Sequence, residues 1–134
     1  MNLFRHELRT TADEDVFPVT DLVRQDVFDS GIESGIAVVY SPHTTVGITI
    51  NENADPDVKF DLLYGLDRIF PRSDKGYQQE DGNAFAHLKA STIGASETVI
   101  IEHGRLILGL WQDIYFCEFD GPRKRSFYVK VISD

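Results

Sequence analysis

The chain has 134 residues, 42% hydrophobic and 26% charged, which suits one soluble globular domain over 1–134. Its net charge of −9 argues against whole-surface binding of nucleic acid, although a local Arg/Lys cluster could still hold a small anion. A lone cysteine, Cys117, excludes an internal disulfide, and no apolar run approaches the length of a membrane span. With no apolar leader after Met1-Asn-Leu-Phe-Arg-His, the expectation is a cytoplasmic protein with no nucleic-acid or membrane partner.

Leu3 to Leu8 alternates loosely and predicts a first strand. Phe17-Pro18-Val19-Thr20 then opens a helix, with Thr20 as N-cap and Leu22, Val23, Val27 and Phe28 at helical spacing. Gly31 supplies its exit. Gly35 to Tyr40 is a short apolar run typical of a buried strand, and Val46 to Ile50 resumes it with β-branched residues. Asp55-Pro56 is a helix start, with Asp55 as N-cap and Pro56 at the first helical position. Val58, Leu62, Leu66 and Ile69 make one apolar face of that helix, which Pro71 ends. Residues 71–83 read as a polar loop, and 84–93 as a short helix stopped by Gly94.

Strands follow: 98–101, a tight turn at Glu102-His103-Gly104-Arg105, 106–108, 111–119, a turn at Asp120-Gly121-Pro122, and 125–132. In the last strand Phe127, Val129 and Val131 share one face. Strands outnumber helices and short turns join several of them, which predicts an α+β fold with a mixed, largely antiparallel sheet and packed helices. A doubly wound parallel sheet would need more regular alternation.

Several polar segments border these core runs. His43, in the Pro42-His43-Thr44-Thr45 break, is either a turn residue bonded to backbone or a ligand and proton carrier. Glu52, next to the helix start at Asp55, could hold Mg²⁺ through oxygen ligands. His87, Lys89 and Ser91 share a face in an extended segment but not in a helix, where Asn83 and His87 share one instead. Gln112 could orient a ligand through its amide. Arg123, Lys124 and Arg125 follow a turn, either as a solvated hairpin tip or as an anion clamp. Cys117, among aromatics in a strand, reads as a core residue rather than a nucleophile. No P-loop, GxGxxG, CxxC or His-Glu-x-x-His is present.

His43-Thr-Thr, Asn51-Glu-Asn-Ala-Asp-Pro, Ala86-His87-Leu-Lys89-Ala-Ser, Gly104-Arg-Leu-x-Leu-Gly109, Trp111-Gln112 and Asp120-Gly-Pro-Arg resemble, in matched order over nearly the whole chain, the YjbQ family, also labelled secondary thiamine-phosphate synthase. The resemblance implies a sandwich-like α+β domain that forms a homotrimer. It also implies a weak transferase, joining a hydroxymethylpyrimidine diphosphate to a thiazole phosphate and releasing pyrophosphate.

On that reading His87, Lys89 and Gln112 are catalytic, and Thr44, Asn83, Ser91 and Arg123 bind a small phosphorylated substrate. His43, Glu52 and Asp81 are then the metal ligands, for Mg²⁺ or a transition metal such as Zn²⁺. Two segments depart from the family pattern: Gln78-Gln79 stand where a His usually follows the Tyr matched by Tyr77, and Leu110 replaces the usual Thr before Trp111. A metal-assisted phosphohydrolase with His43 and His87 as ligands, and a small-anion binding module without catalysis, are the alternatives.

Overall fold

The structure is a computed structural model that describes residues 2–134. Its elements run β1 (Leu3–Arg9), β2 (Asp15–Pro18), α1 (Thr20–Ser30), β3 (Gly35–Tyr40), β4 (Val46–Glu52), α2 (Pro56–Ile69), α3 (Ala84–Ile93), β5 (Ser96–Glu102), β6 (Arg105–Leu106), β7 (Gln112–Glu118) and β8 (Lys124–Ser133). Five strands form one sheet in the order β1-β8-β3-β5-β6, and three form a second in the order β2-β7-β4. Every pairing among the described residues is antiparallel. The α+β expectation holds, and the sheets are antiparallel throughout rather than mixed.

Alternation along β7 explains the layering. Ile114 and Phe116 point into a core shared with Val39, Val129 and Phe127 of the larger sheet and with Val23 and Val27 of α1. Tyr115 and Cys117 point the other way, against Leu66 of α2 and Phe85, Ala86 and Ala90 of α3. The small sheet is thus the middle layer, with the large sheet on one face and α2 and α3 on the other. Gly47 of β4 permits the close approach of α3: a Cβ there would lie 2.6 Å from Cγ2 of Ile93.

The Asp55 side chain accepts a hydrogen bond from the Asp57 N–H at 2.9 Å, capping α2 with Pro56 in its first turn, as the sequence predicts. His103 and Gly104 both take positive φ in the two-residue turn between β5 and β6. Other expectations need correction. Phe17 and Pro18 belong to β2, where Pro18 sits at a strand end, and helix α1 begins at Thr20 rather than being capped by it. Thr20 Oγ1 instead accepts from the Ile114 N–H at 2.8 Å and donates to Asp113, tying α1 to β7. Ile69, Phe28 and Leu22 are exposed although their spacing placed them on apolar faces.

Candidate functional site

The break between β3 and β4 begins at Ser41, whose buried backbone N–H donates to the Ala95 carbonyl at 2.9 Å. Its hydroxyl oxygen accepts from the His43 backbone N–H at 3.2 Å, so Pro42 and His43 form a tight corner. The corner faces α3, which is helical from Ala84 to Ile93. This settles the geometry that the sequence left open. His87 and Ser91, four apart, share a helical face, and Lys89 lies off it. Between corner and helix lies a cleft of about 550 Å³, lined by Tyr40, Ser41, His43, Thr44, His87 and Ser91 and floored by small or apolar residues. His87 also borders an adjoining groove beside Tyr77, Gln78 and Gln79.

The hydrogen bonding of His43 selects one tautomer of its neutral ring. Its Nε2 accepts a hydrogen bond from the Ser126 backbone N–H at 3.0 Å. An imidazole nitrogen that accepts has no proton, so the single N–H of the neutral ring is on Nδ1. Partial burial, followed by the charge of Arg125, pushes its pKa below that of an ordinary histidine. His87 makes no side-chain hydrogen bond within the described residues.

Behind His43 lies a buried ion pair. Arg125 of β8 donates through Nε to Glu118 Oε1 at 2.8 Å and through Nη2 to Glu118 Oε2 at 2.5 Å, a bidentate fork. Nη2 also donates to Thr45 Oγ1 at 2.8 Å. Glu118 accepts further bonds from Thr10 Oγ1 at 2.8 Å and the Asp120 N–H at 3.0 Å. Burial alone would raise the Glu118 carboxyl, but the bonds from Arg125, Asp120 and Thr10 outweigh it and leave the pKa below the usual carboxylate value.

The structure therefore gathers His43, Thr44, His87 and Ser91 and leaves the other expected site residues elsewhere. Lys89 has a fully buried side chain, bonded to Glu14 at 2.6 Å and to Asp67, with its ammonium over the rings of Phe85 and Phe119. Its ammonium is spent inside the fold and cannot neutralise a phosphate in the cleft. Asn83 sits at the N-terminus of α3 and donates to Asp120 at 2.9 Å. Gln112 accepts from the Gly109 N–H at 2.7 Å, bracing its own turn. Arg123 is exposed and bonds back to Asp120. Among the described residues no Lys or Arg lines the cleft, so neither Lys89 nor the Arg123–Arg125 segment acts on an anion there.

The metal set expected from His43, Glu52 and Asp81 is not assembled either. No group of three or more His, Cys, Asp or Glu among the described residues is placed to hold a metal ion. Nor can His43 offer a lone pair to a metal while Nε2 accepts from Ser126 and Nδ1 carries the proton.

Arg125 follows Arg123 and Lys124, where the sequence predicts either a solvated hairpin tip or an anion clamp, yet it is buried. The signal that could have found its role is Glu118. A carboxylate at an inward position of an apolar strand requires a cationic or donor partner. Ser41 and the Ser126 backbone carry no such signal, and the Thr45 hydroxyl, which the sequence offers for an oxyanion, accepts from Arg125 instead. Cys117 is buried with its thiol pushed up to about 12, as an inert core residue should be.

A family model described as "UPF0047 protein YjbQ-like" matches residues 4–134. The chain is 52% identical over 126 residues to UPF0047 protein YugU of Bacillus subtilis, covering 94% of this chain and 96% of that one. It is 46% identical over 132 residues to UPF0047 protein MJ1081 of Methanocaldococcus jannaschii, covering 98% and 95%. Among solved structures, a YjbQ/UPF0047 protein from Clostridium acetobutylicum superposes with a TM-score of 0.94 at 52% identity, covering 96% of this chain and 99% of that one. A YbjQ-like protein from Sulfolobus solfataricus superposes with a TM-score of 0.93 at 30% identity, covering 98% and 96%, and is described as being of unknown function.

These findings correct the thiamine-phosphate synthase expectation. The relatives carry the name UPF0047 protein, one solved structure is described as being of unknown function, and the ammonium of Lys89, expected to be catalytic, is locked against Glu14 and Asp67. A match over nearly its full length, with relatives near half identity, means that the chain belongs to the YjbQ-like UPF0047 family.

Proposed function

We infer that the cleft between the His43 corner and α3 binds a small molecule through an uncharged oxygen acceptor and transfers a proton next to it. In this reading His43 donates its Nδ1–H to the oxygen, and His87 carries the proton. The carrying observation is the bond from the Ser126 N–H to His43 Nε2, because it leaves a neutral imidazole whose free nitrogen is a donor. A neutral donor strengthens its bond as negative charge builds on a carbonyl oxygen, which stabilises an enolate-like transition state. The reading is further supported by the cleft's volume of about 550 Å³ and its lack of cations, which suit a small uncharged ligand. Ser91 and Thr44 supply hydroxyls to orient it.

The test is proton exchange. The protein is incubated with a panel of small ketones and aldehydes in D₂O, and loss of the signals from protons next to the carbonyl is followed by NMR. The expected result is exchange above the buffer rate with at least one class, abolished in His87→Ala and slowed in His43→Phe. Exchange at the buffer rate across the panel would refute the reading.

We also propose that the chain forms the homotrimer that the family resemblance implies. It is supported, as self-association, by the exposed apolar residues Ile100, Ile107, Leu110 and Trp111. Light scattering that gives a monomer mass would remove it.

A further inference from the structure

We propose that Arg125 is a positioning residue for His43, clamping residues 43–45 to β8 so that the Ser126 N–H meets His43 Nε2. The inference rests on the proposed role of His43. Two parallel links join the same short segments. One runs from the Ser126 N–H to His43 Nε2 at 3.0 Å, and the other from Arg125 Nη2 to Thr45 Oγ1 at 2.8 Å. Residues 125 and 126 are neighbours on β8, and 43 and 45 belong to one turn. Fixing the second link therefore sets the register of the first.

The guanidinium can serve as a fixed point because its own position is over-determined. Glu118 holds it through two bonds, and Glu118 is in turn held by Thr10 and the Asp120 N–H. β7 and β8 belong to different sheets, so the pair also spans the two layers. Glu118 and Arg125 are both buried, where a planar fork loses little freedom on binding a carboxylate.

The charge of Arg125 has a second consequence. It acts in the same direction as burial, which is the larger influence, to hold the His43 pKa below that of an ordinary histidine. The titratable groups around His43 are Arg125 on β8, Glu118 on β7, and His87 and Tyr40 along the cleft.

Long-range ¹⁵N–¹H NMR of the histidine rings in the full chain tests this without any substrate. Wild type is compared with Thr45→Val, which deletes the hydroxyl, and Thr45→Ser, which keeps it. In Thr45→Val the His43 signals should move from the pure Nδ1–H form toward mixed tautomers, with the titration midpoint shifted upward. In Thr45→Ser they should return to the wild-type pattern. Arg125→Lys keeps a charge but loses the fork, and should also move toward mixed tautomers.

An unchanged His43 pattern in folded Thr45→Val would overturn the proposal, as would equal changes in the Val and Ser variants. A merely structural role for the pair would lower melting temperature while leaving the tautomer alone. If wild type itself lacks the Nδ1–H form, the reading of the site fails. If wild type has it and Thr45→Val does not alter it, only the clamp fails.

Discussion

Lys89 offers the sharpest energetic test. Its side chain is fully buried, while its partners Glu14 and Asp67 are 11% and 50% exposed. Removing one partner of a buried ion pair costs about 3–5 kcal/mol when the remaining charge stays dry. Here Asp67 can rehydrate, and Arg72 lies 3.4 Å from the other oxygen of Glu14 and can take it over. The electrostatic loss therefore falls near the lower end, about 3 kcal/mol. Alanine also removes three buried methylenes beside Phe85 and Phe119, worth about 2 kcal/mol more. Lys89→Ala should thus lose about 5 kcal/mol and Lys89→Met, which keeps the length of the stem, about 3 kcal/mol. Urea unfolding followed by circular dichroism measures both. Losses below about 1 kcal/mol in Lys89→Ala would refute the reasoning, since they would mean the buried pair contributes no more than an exposed one. Any proton exchange by wild type should survive in folded Lys89→Met, because this residue does not line the cleft.

Acid should destabilise the fold in two steps. His43 and Glu118 both have folded-state pKa values below their ordinary ones, so each contributes stability above its unfolded pKa, about 6.5 and 4.3 respectively, and loses it as pH falls through the folded value. The urea midpoint should fall from neutral pH downward, and Glu118→Gln should flatten the lower step; a midpoint that rises on acidification contradicts the assignment. Gly47→Ala places a methyl group 2.6 Å from Ile93, so calorimetry should record a loss of about 1–3 kcal/mol, with an unchanged melting temperature counting against the tight α3 contact. Cys117, its thiol pushed up to about 12, should react with an aromatic disulfide reagent only after unfolding; stoichiometric labelling of the native protein would show the burial to be wrong.

The sequence was most legible where local chemistry alone decides the backbone. Asp55-Pro56 marks a helix start through one side-chain bond and one fixed φ, and His103-Gly104 marks a turn through positive φ. The alternation of Phe127, Val129 and Val131 identified the core face of β8 because a strand's period is two. Strand β2 escaped because Pro18 at a strand end reads equally well as a helix opener. Periodicity could not tell that the packed faces run through Val23 and Val27 in α1 and through Leu62 and Leu66 in α2 to its C-cap Phe70, leaving Phe28 and Ile69 exposed.

The site was half legible for a related reason. His43, Thr44, His87 and Ser91 do converge, but a lysine in a polar-looking helix suggested a free ammonium, and only tertiary packing shows it paired. The bonds that set the His43 tautomer come from the Ser126 backbone and from an Arg125–Glu118 pair linking two sheets. The first has no local sequence signature, and of the pair only Glu118, a carboxylate at an inward position of an apolar strand, carries one.

The central claim is that His43 is a neutral imidazole with its proton on Nδ1, and ring ¹⁵N NMR of the wild-type chain at neutral pH measures it directly. A proton-bearing Nδ1 and a bare Nε2 that remain so on mild acidification are expected. A proton on Nε2, or a doubly protonated ring at neutral pH, would contradict it.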